Sequence, residues 1–195
     1  MNTAIGRDET LLSVALAPLD FVRQVGLVLS FSLLTALAAQ VVIPAGLVPI
    51  TGSTFAVLLT GALLGSRLGA ITMIVYLIEG ASGLPFFAGG TTGVLHLLGP
   101  TGGYLVAFPA AAFITGAFAE HGWDRNFFTA AAAMAIGSAL ILVAGWAWFS
   151  IVMHTSPLIA FVDTIARFIP GDIIKILLAA AVLPSGWKLL GKRAR

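Results

Sequence analysis

Four ionisable side chains fall in one apolar stretch near the end of the chain, FVDTIARFIPGDIIKILLAAAVLP: Asp163, Arg167, Asp172 and Lys175. A charge near the centre of a bilayer costs roughly 2.5–3.5 kcal/mol on insertion scales, so four on a lipid-facing helix would be prohibitive. Asp163 and Arg167 are spaced i,i+4 and Asp172 and Lys175 i,i+3, so each pair can share a helix face and the local charge sums to zero. Either the pairs tie the last helix to its neighbours, or they face a polar ligand that offers both donors and acceptors. Asp172 and Lys175 favour the ligand, because they follow Pro170-Gly171, which is expected to interrupt the helix, and broken membrane helices line cavities. Paired carboxylates could instead do acid/base chemistry. Asp163 and Asp172 are about 13 Å apart along a continuous helix, and each has a neighbouring cation to pair with, which argues against an enzyme.

A second candidate is the outer loop LPFFAGGTTGVLHLLGPTGGY, from Leu84 to Tyr104, with six glycines and two prolines among apolar residues. Glycine lets backbone groups approach a ligand closely, here at Gly89 and Gly90, while Phe86, Phe87 and Tyr104 could form apolar walls. The alternative is a re-entrant loop that only plugs the outer face. No GxxxxGK[ST] phosphate-binding sequence occurs, so any energy from ATP must come from another chain. Glu79, beside Gly80, could bond to loop backbone or accept from a ligand. His96 reads as a polar loop residue rather than a metal ligand. With no cysteine and three scattered histidines, no metal site or cofactor is implied. Ser32, Ala36 and Gln40 recur at four-residue intervals, with Thr35 and Ala39 alongside. Small residues at that spacing let helices pack closely, within this chain or against another membrane protein. Trp123, Trp146, Trp148, Phe149 and Trp187 read as interfacial anchors.

The elements that position these residues follow from composition. Of 195 residues, 59% are hydrophobic and 9% charged, where a soluble domain carries about 25% charged residues. This is a membrane protein, and a net charge of +2 gives no footprint for nucleic acid. Six apolar segments are expected: roughly 21–42, 53–64, 68–82, 103–119, 127–149 and 161–183. The fold class is therefore all-α and polytopic, with six transmembrane helices and long ordered outer loops after the first and third. A cytoplasmic tail over 1–20, a membrane domain over 21–190 and a basic tail over 191–195 complete the organisation. The tail lacks the pattern of a cleavable signal peptide, since Arg7, Asp8, Glu9 and Asp20 surround Pro18 ahead of the apolar rise. Six spans place Arg7, Arg23, Arg67, Arg125, Lys188, Lys192, Arg193 and Arg195 on one side. The loops 44–52, 83–102 and 151–160 contain no Lys or Arg. Both termini are thus expected in the cytoplasm; five or seven spans would break this agreement.

Four runs carry a family resemblance: VPITGSTFAVLLTGALLGSRLGA (Val48 to Ala70), GLPFFAGG (Gly83 to Gly90), GPTGGYL (Gly99 to Leu105) and PGDIIK (Pro170 to Lys175). Together, in this order and spacing, they resemble the BioY family, the biotin-specific substrate-binding S components of energy-coupling factor (ECF) vitamin transporters. The resemblance implies a six-helix subunit of the bacterial cytoplasmic membrane that binds biotin at its outer face. It also implies a transmembrane coupling protein and ABC ATPases as partners. Substrate would lie beneath the loops 44–51 and 84–101, against Asp172 and Lys175. Asp172 would accept from a ureido N–H, and Lys175 would donate to the ureido oxygen or pair with the valerate carboxylate, which otherwise needs Arg167 or loop backbone. Thr51, Phe86, Phe87, Gly89, Gly90, Tyr104 and Glu79 complete the expected binding set. Ser32 and Ala36 match the face where S components are thought to meet the coupling protein. Gly52-Ser53 departs from the Leu-Gln common in relatives, so any polar contact from that Gln is lost or replaced. The alternative is a self-sufficient or ion-coupled vitamin carrier.

Overall fold

The computed structural model describes residues 10–16 and 20–193; Arg7, Asp8, Glu9, Pro18 and Arg195 lie outside them. The described chain is mostly helical. It begins with a short helix α1 (Leu11–Ala15) and continues through α2 (Phe21–Ala39), a strand pair β1 (Val42–Ile43) and β2 (Ile50–Thr51), α3 (Ser53–Leu64) and α4 (Ser66–Ala81). The outer loop then forms a 3-10 turn (Ala88–Gly90) and the short α5 (Val94–Leu98). Next come α6 (Gly102–Glu120), a 3-10 turn (Trp123–Arg125), α7 (Phe127–Val152), α8 (Pro157–Phe161), a π turn (Val162–Ala166) and α9 (Ile169–Arg193).

Among the described residues, four helical stretches are long and apolar enough to cross a bilayer: α2, α6, α7 and Pro157–Leu190. The apolar α3 has only 12 residues and α4 has 16. The class is not purely helical. After Ala39 the chain pairs Val42 with Thr51 and Ile43 with Ile50 in an antiparallel ladder, so the first helix ends before the expected Val42.

The core lies around α6, which packs between α3, α4 and α7. Close approach demands small residues there. A Cβ on Gly61 would fall 2.2 Å from Ala112 O, and one on Gly116 would fall 2.4 Å from Gly65 C. Gly65 is the whole connection between α3 and α4, at φ +87°, and its neighbour is held by a carboxylate. Glu120 Oε1 accepts from Ser66 N at 2.7 Å and from Ser66 Oγ at 2.9 Å, satisfying a free N–H at the start of α4. The same end of the bundle holds the turn after α6 and the last turns of α9, joined by Trp187 Nε1 donating to Asp124 Oδ2 at 2.6 Å. Arg67, Arg125 and Lys188 therefore gather at one end and the two long loops at the other.

One expectation is corrected by the fold. The break in the last apolar segment lies upstream of Pro170, at the π turn over Val162–Ala166. Pro170 is in the first turn of α9, where its missing N–H has no helical partner to lose, so α9 runs on through Asp172 and Lys175. Ser32 and Ala36 are only 0% and 4% exposed. The α2 face that bears them turns inward toward α4, and Ser32 Oγ donates to Glu79 Oε2. Ser32 and Ala36 thus pack within this chain, and Glu79 is engaged by the same contact. The expected indole anchors make contacts within the chain. Trp148 Nε1 donates to Gly99 O and Trp146 Nε1 to Pro157 O, both at 2.9 Å, while Phe149 and Trp187 are buried. These side chains fasten turns at the bundle ends.

Candidate functional site

At the end of the bundle opposite Arg67 and Arg125 lies a narrow cavity of about 40 Å³. Small-molecule sites occupy roughly 300–1,000 Å³, so the covering hairpin and loop must move apart before this cavity holds one. Val48, Pro49 and Thr51 of the hairpin cover one side, and Ser53 and Thr54 enter from the first turn of α3. Tyr76 of α4, Tyr104, Leu105 and Phe108 of α6, and Phe168 ahead of α9 form an aromatic wall. Ala88, His96 and Thr101 close the loop side.

The wall is held by neighbours that leave it little freedom. Tyr104 stacks on Phe168 at 5.7 Å between ring centroids, and its hydroxyl donates to Thr164 O at 2.9 Å. A carbonyl inside the π turn is thereby satisfied by a cavity residue, consistent with such turns occurring at functional sites. Gly145 of α7 makes room for that ring, since a Cβ there would fall 2.3 Å from Tyr104 Cζ. Tyr76 donates its hydroxyl to Phe86 O at 3.0 Å. Gln40, at the end of α2, donates through Nε2 to Phe87 O at 3.2 Å and Ala36 O at 3.0 Å, clamping the loop over the bundle.

Asp172 and Lys175 stand behind this wall. Lys175 Nζ donates to Thr54 Oγ1 at 2.8 Å, Thr51 O at 2.9 Å and Asp172 Oδ1 at 3.3 Å, which uses its three protons. Asp172, 6% exposed, accepts from Ser138 Oγ of α7 at 2.5 Å. The bonding expected from a ligand is supplied by Ser138, Thr51 and Thr54, and the pair fixes the hairpin end and the α3 start against α7 and α9.

Of the other expected residues, Thr51 and Tyr104 are on the wall. Phe87 is fully buried behind it, edge-on to Tyr76 at 5.8 Å, and Phe86 stacks near Tyr76 at 6.5 Å. Gly89 and Gly90 take positive φ in the covering turn, with Ala88 rather than either glycine facing the cavity. Arg167 is directed elsewhere: it pairs with Asp163 at 2.9 Å, donates to Ala45 O at 3.2 Å and lines a separate recess with Gly46 and Phe149. Sequence reasoning missed Thr54, Ser138 and Gln40 as supports, and His96, Tyr76 and Thr101 as wall. A polar residue inside an apolar span was the available signal for Thr54 and Ser138.

His96 stacks on Phe87 at 5.2 Å and 16°, with Nε2 3.2 Å from Thr101 Oγ1 and 3.4 Å from Thr91 Oγ1. Burial holds its imidazole below the usual histidine value, so it is neutral at physiological pH. Among the described residues, no group of three or more metal-ligating side chains occurs.

The profile of the BioY family matches residues 8–192. The chain belongs to the BioY family. A probable biotin transporter BioY of Pyrococcus horikoshii is 38% identical over 160 residues, covering 82% of this chain and 93% of that one. The biotin transporter BioY of Rhizobium etli is 36% identical over 184 residues, covering 83% and 96%. A solved structure, described as the S-component for biotin from an ECF-type ABC transporter, superposes with a TM-score of 0.79 at 26% identity. It covers 86% of this chain and 92% of its own. The family is one of membrane transporters, and this chain is a multi-pass membrane protein.

Proposed function

We propose that this chain is the biotin-binding S component of an ECF-type transporter, taking biotin from the outer face of the cytoplasmic membrane. The observation that carries this is the cavity: an aromatic slot with hydroxyls at its hairpin end, backed by a buried ammonium and carboxylate, in a BioY-family fold. Biotin has an apolar bicycle, a ureido group with two donors and one acceptor, and a carboxylate tail. Tyr76, Tyr104, Phe108 and Phe168 suit the bicycle. Thr51, Ser53 and Thr54 suit the ureido group, with Lys175 polarising the hydroxyl and carbonyl it holds.

We read α3 and α4 as two further membrane crossings, making six, with both termini cytoplasmic and the membrane domain over 21–190. No phosphate-binding loop occurs in the sequence, so the energy for release falls to a transmembrane coupling protein and ABC ATPases. The hairpin over 42–51 and the loop over 84–101 must part to admit ligand.

The test is to purify the chain alone in detergent and identify co-purifying small molecules by mass spectrometry, followed by calorimetric titration with biotin. Stoichiometric biotin supports the proposal. A chain that neither co-purifies with biotin nor binds it on titration refutes it.

A further inference from the structure

The proposed ligand carries a carboxylate, and the cavity gives it no permanent cation. The outer loops 44–52, 83–102 and 151–160 contain no Lys or Arg. Lys175 spends its three protons on Thr51, Thr54 and Asp172, and Arg167 is paired with Asp163 beside a different recess. A carboxylate withdrawn from water needs a charged or strongly donating partner. Among the described residues lining the cavity, only His96 can acquire a positive charge.

Its surroundings prepare it for this. The ring is fixed against Phe87, which is wedged over Gly80, where a Cβ would fall 2.3 Å from Phe87 Cζ. The hydroxyl of Thr91 donates to Ala88 O at 2.8 Å, so toward His96 it can only accept, as Thr101 also can. Nε2–H thus has acceptors on the protein, while Nδ1 makes no hydrogen bond among the described residues. The groups at the ring carry no charge: Phe87 and Thr91 of the loop and Thr101 just ahead of α6, and the tyrosines that share the cavity, Tyr76 of α4 and Tyr104 of α6, are uncharged too. Glu79 of α4 is bonded to Ser32, and Asp172 and Lys175 are paired with each other behind Thr54.

We propose that His96 recognises the carboxylate of the ligand, and that binding draws up to one proton from bulk water onto its imidazole. Nε2–H then donates to the threonine hydroxyls and Nδ1–H to the carboxylate. Burial among uncharged groups keeps His96 neutral, so the proton arrives with the anion, and affinity for an anionic ligand rises as pH falls. The inference rests on the biotin reading above, and its test separates the two.

Biotin and its uncharged methyl ester are titrated into the full chain by calorimetry between pH 6 and 8, in buffers of different ionisation enthalpy. Biotin binding by the wild-type chain takes up between zero and one proton, and ester binding takes up none. The preference for biotin over the ester declines with rising pH, approaching a limit of about tenfold per pH unit. His96→Gln removes the proton uptake, lowers biotin affinity by about tenfold or more and abolishes the pH-dependent preference for biotin over the ester. Wild-type binding of biotin without proton uptake, at a preference independent of pH, overturns this inference and leaves the biotin reading standing, even if the variant fails to fold. A wild-type chain that binds neither compound overturns both.

Discussion

The charged pair behind the cavity gives the sharpest mutational prediction. Asp172→Asn keeps shape and an acceptor oxygen but removes the countercharge from Lys175 Nζ, 3.3 Å away. At an effective dielectric of about 20, the Coulomb attraction at that distance is about 5 kcal/mol. Removing one member of a buried pair costs about 3–5 kcal/mol, because the other charge stays behind unpaired. Thr51 O and Thr54 Oγ1 still accept from the ammonium, so the lower figure is expected. About 3 kcal/mol corresponds to roughly a hundredfold if all of it appears in binding. Thermal unfolding in detergent and biotin titration provide the assay. Asp172→Asn is expected to lose several degrees and to weaken biotin binding by at least about tenfold, by releasing Thr51 and Thr54 from their fixed places. The double variant Asp172→Asn/Lys175→Met has no unpaired charge and should recover most of the thermal stability. The reasoning is refuted if the single variant melts and binds like wild type, or if the double variant is less stable than the single one.

Two further outcomes follow from the opposite end and the α2 face. Burial pushes the Asp124 carboxyl up to about 6 from its ordinary 3.8, against the opposing hydrogen bond from Trp187 and the charge of Arg125. Its neutral form is therefore favoured in the fold, so its contribution is full below pH 3.8 and lost as pH rises through 6. Asp124→Asn should match wild type near pH 4, lack the decline between pH 4 and 6, and gain up to about 3 kcal/mol at pH 7; parallel pH–stability curves would exclude this. Ser32→Leu should destabilise the chain by about 1–3 kcal/mol through overpacking against α4, seen as a lowered melting temperature. An unchanged melting temperature with impaired uptake would favour the docking role.

The segment ends were legible because Gly, Pro and charges punctuate apolar runs: α3 begins and ends where expected, at Ser53 and Leu64. What was not legible is which face of each helix points inward. Lipid-facing and core-facing positions are both apolar, so periodicity carries little information inside a bilayer. That is why the small-residue stripe on α2 admitted two readings, and why Ser138 and Thr54 went unnoticed as partners for Asp172 and Lys175. The shared face of Asp172 and Lys175 was readable from spacing, but their three-dimensional partners come from 34 and more than 120 residues away. The upstream π turn leaves no composition signal, whereas Pro170 drew attention to the wrong place.

The brevity of α3 shapes the route a solute would take. Twelve residues extend about 18 Å as a helix, against a hydrocarbon layer of about 30 Å. In the orientation proposed above, with Leu64 near the inner headgroups, Ser53 and Thr54 would lie about 12 Å below the outer ones. On that reading, a molecule resting on those hydroxyls would have descended somewhat under half of the hydrocarbon layer, and a septum of little more than three helical turns would separate it from the cell interior.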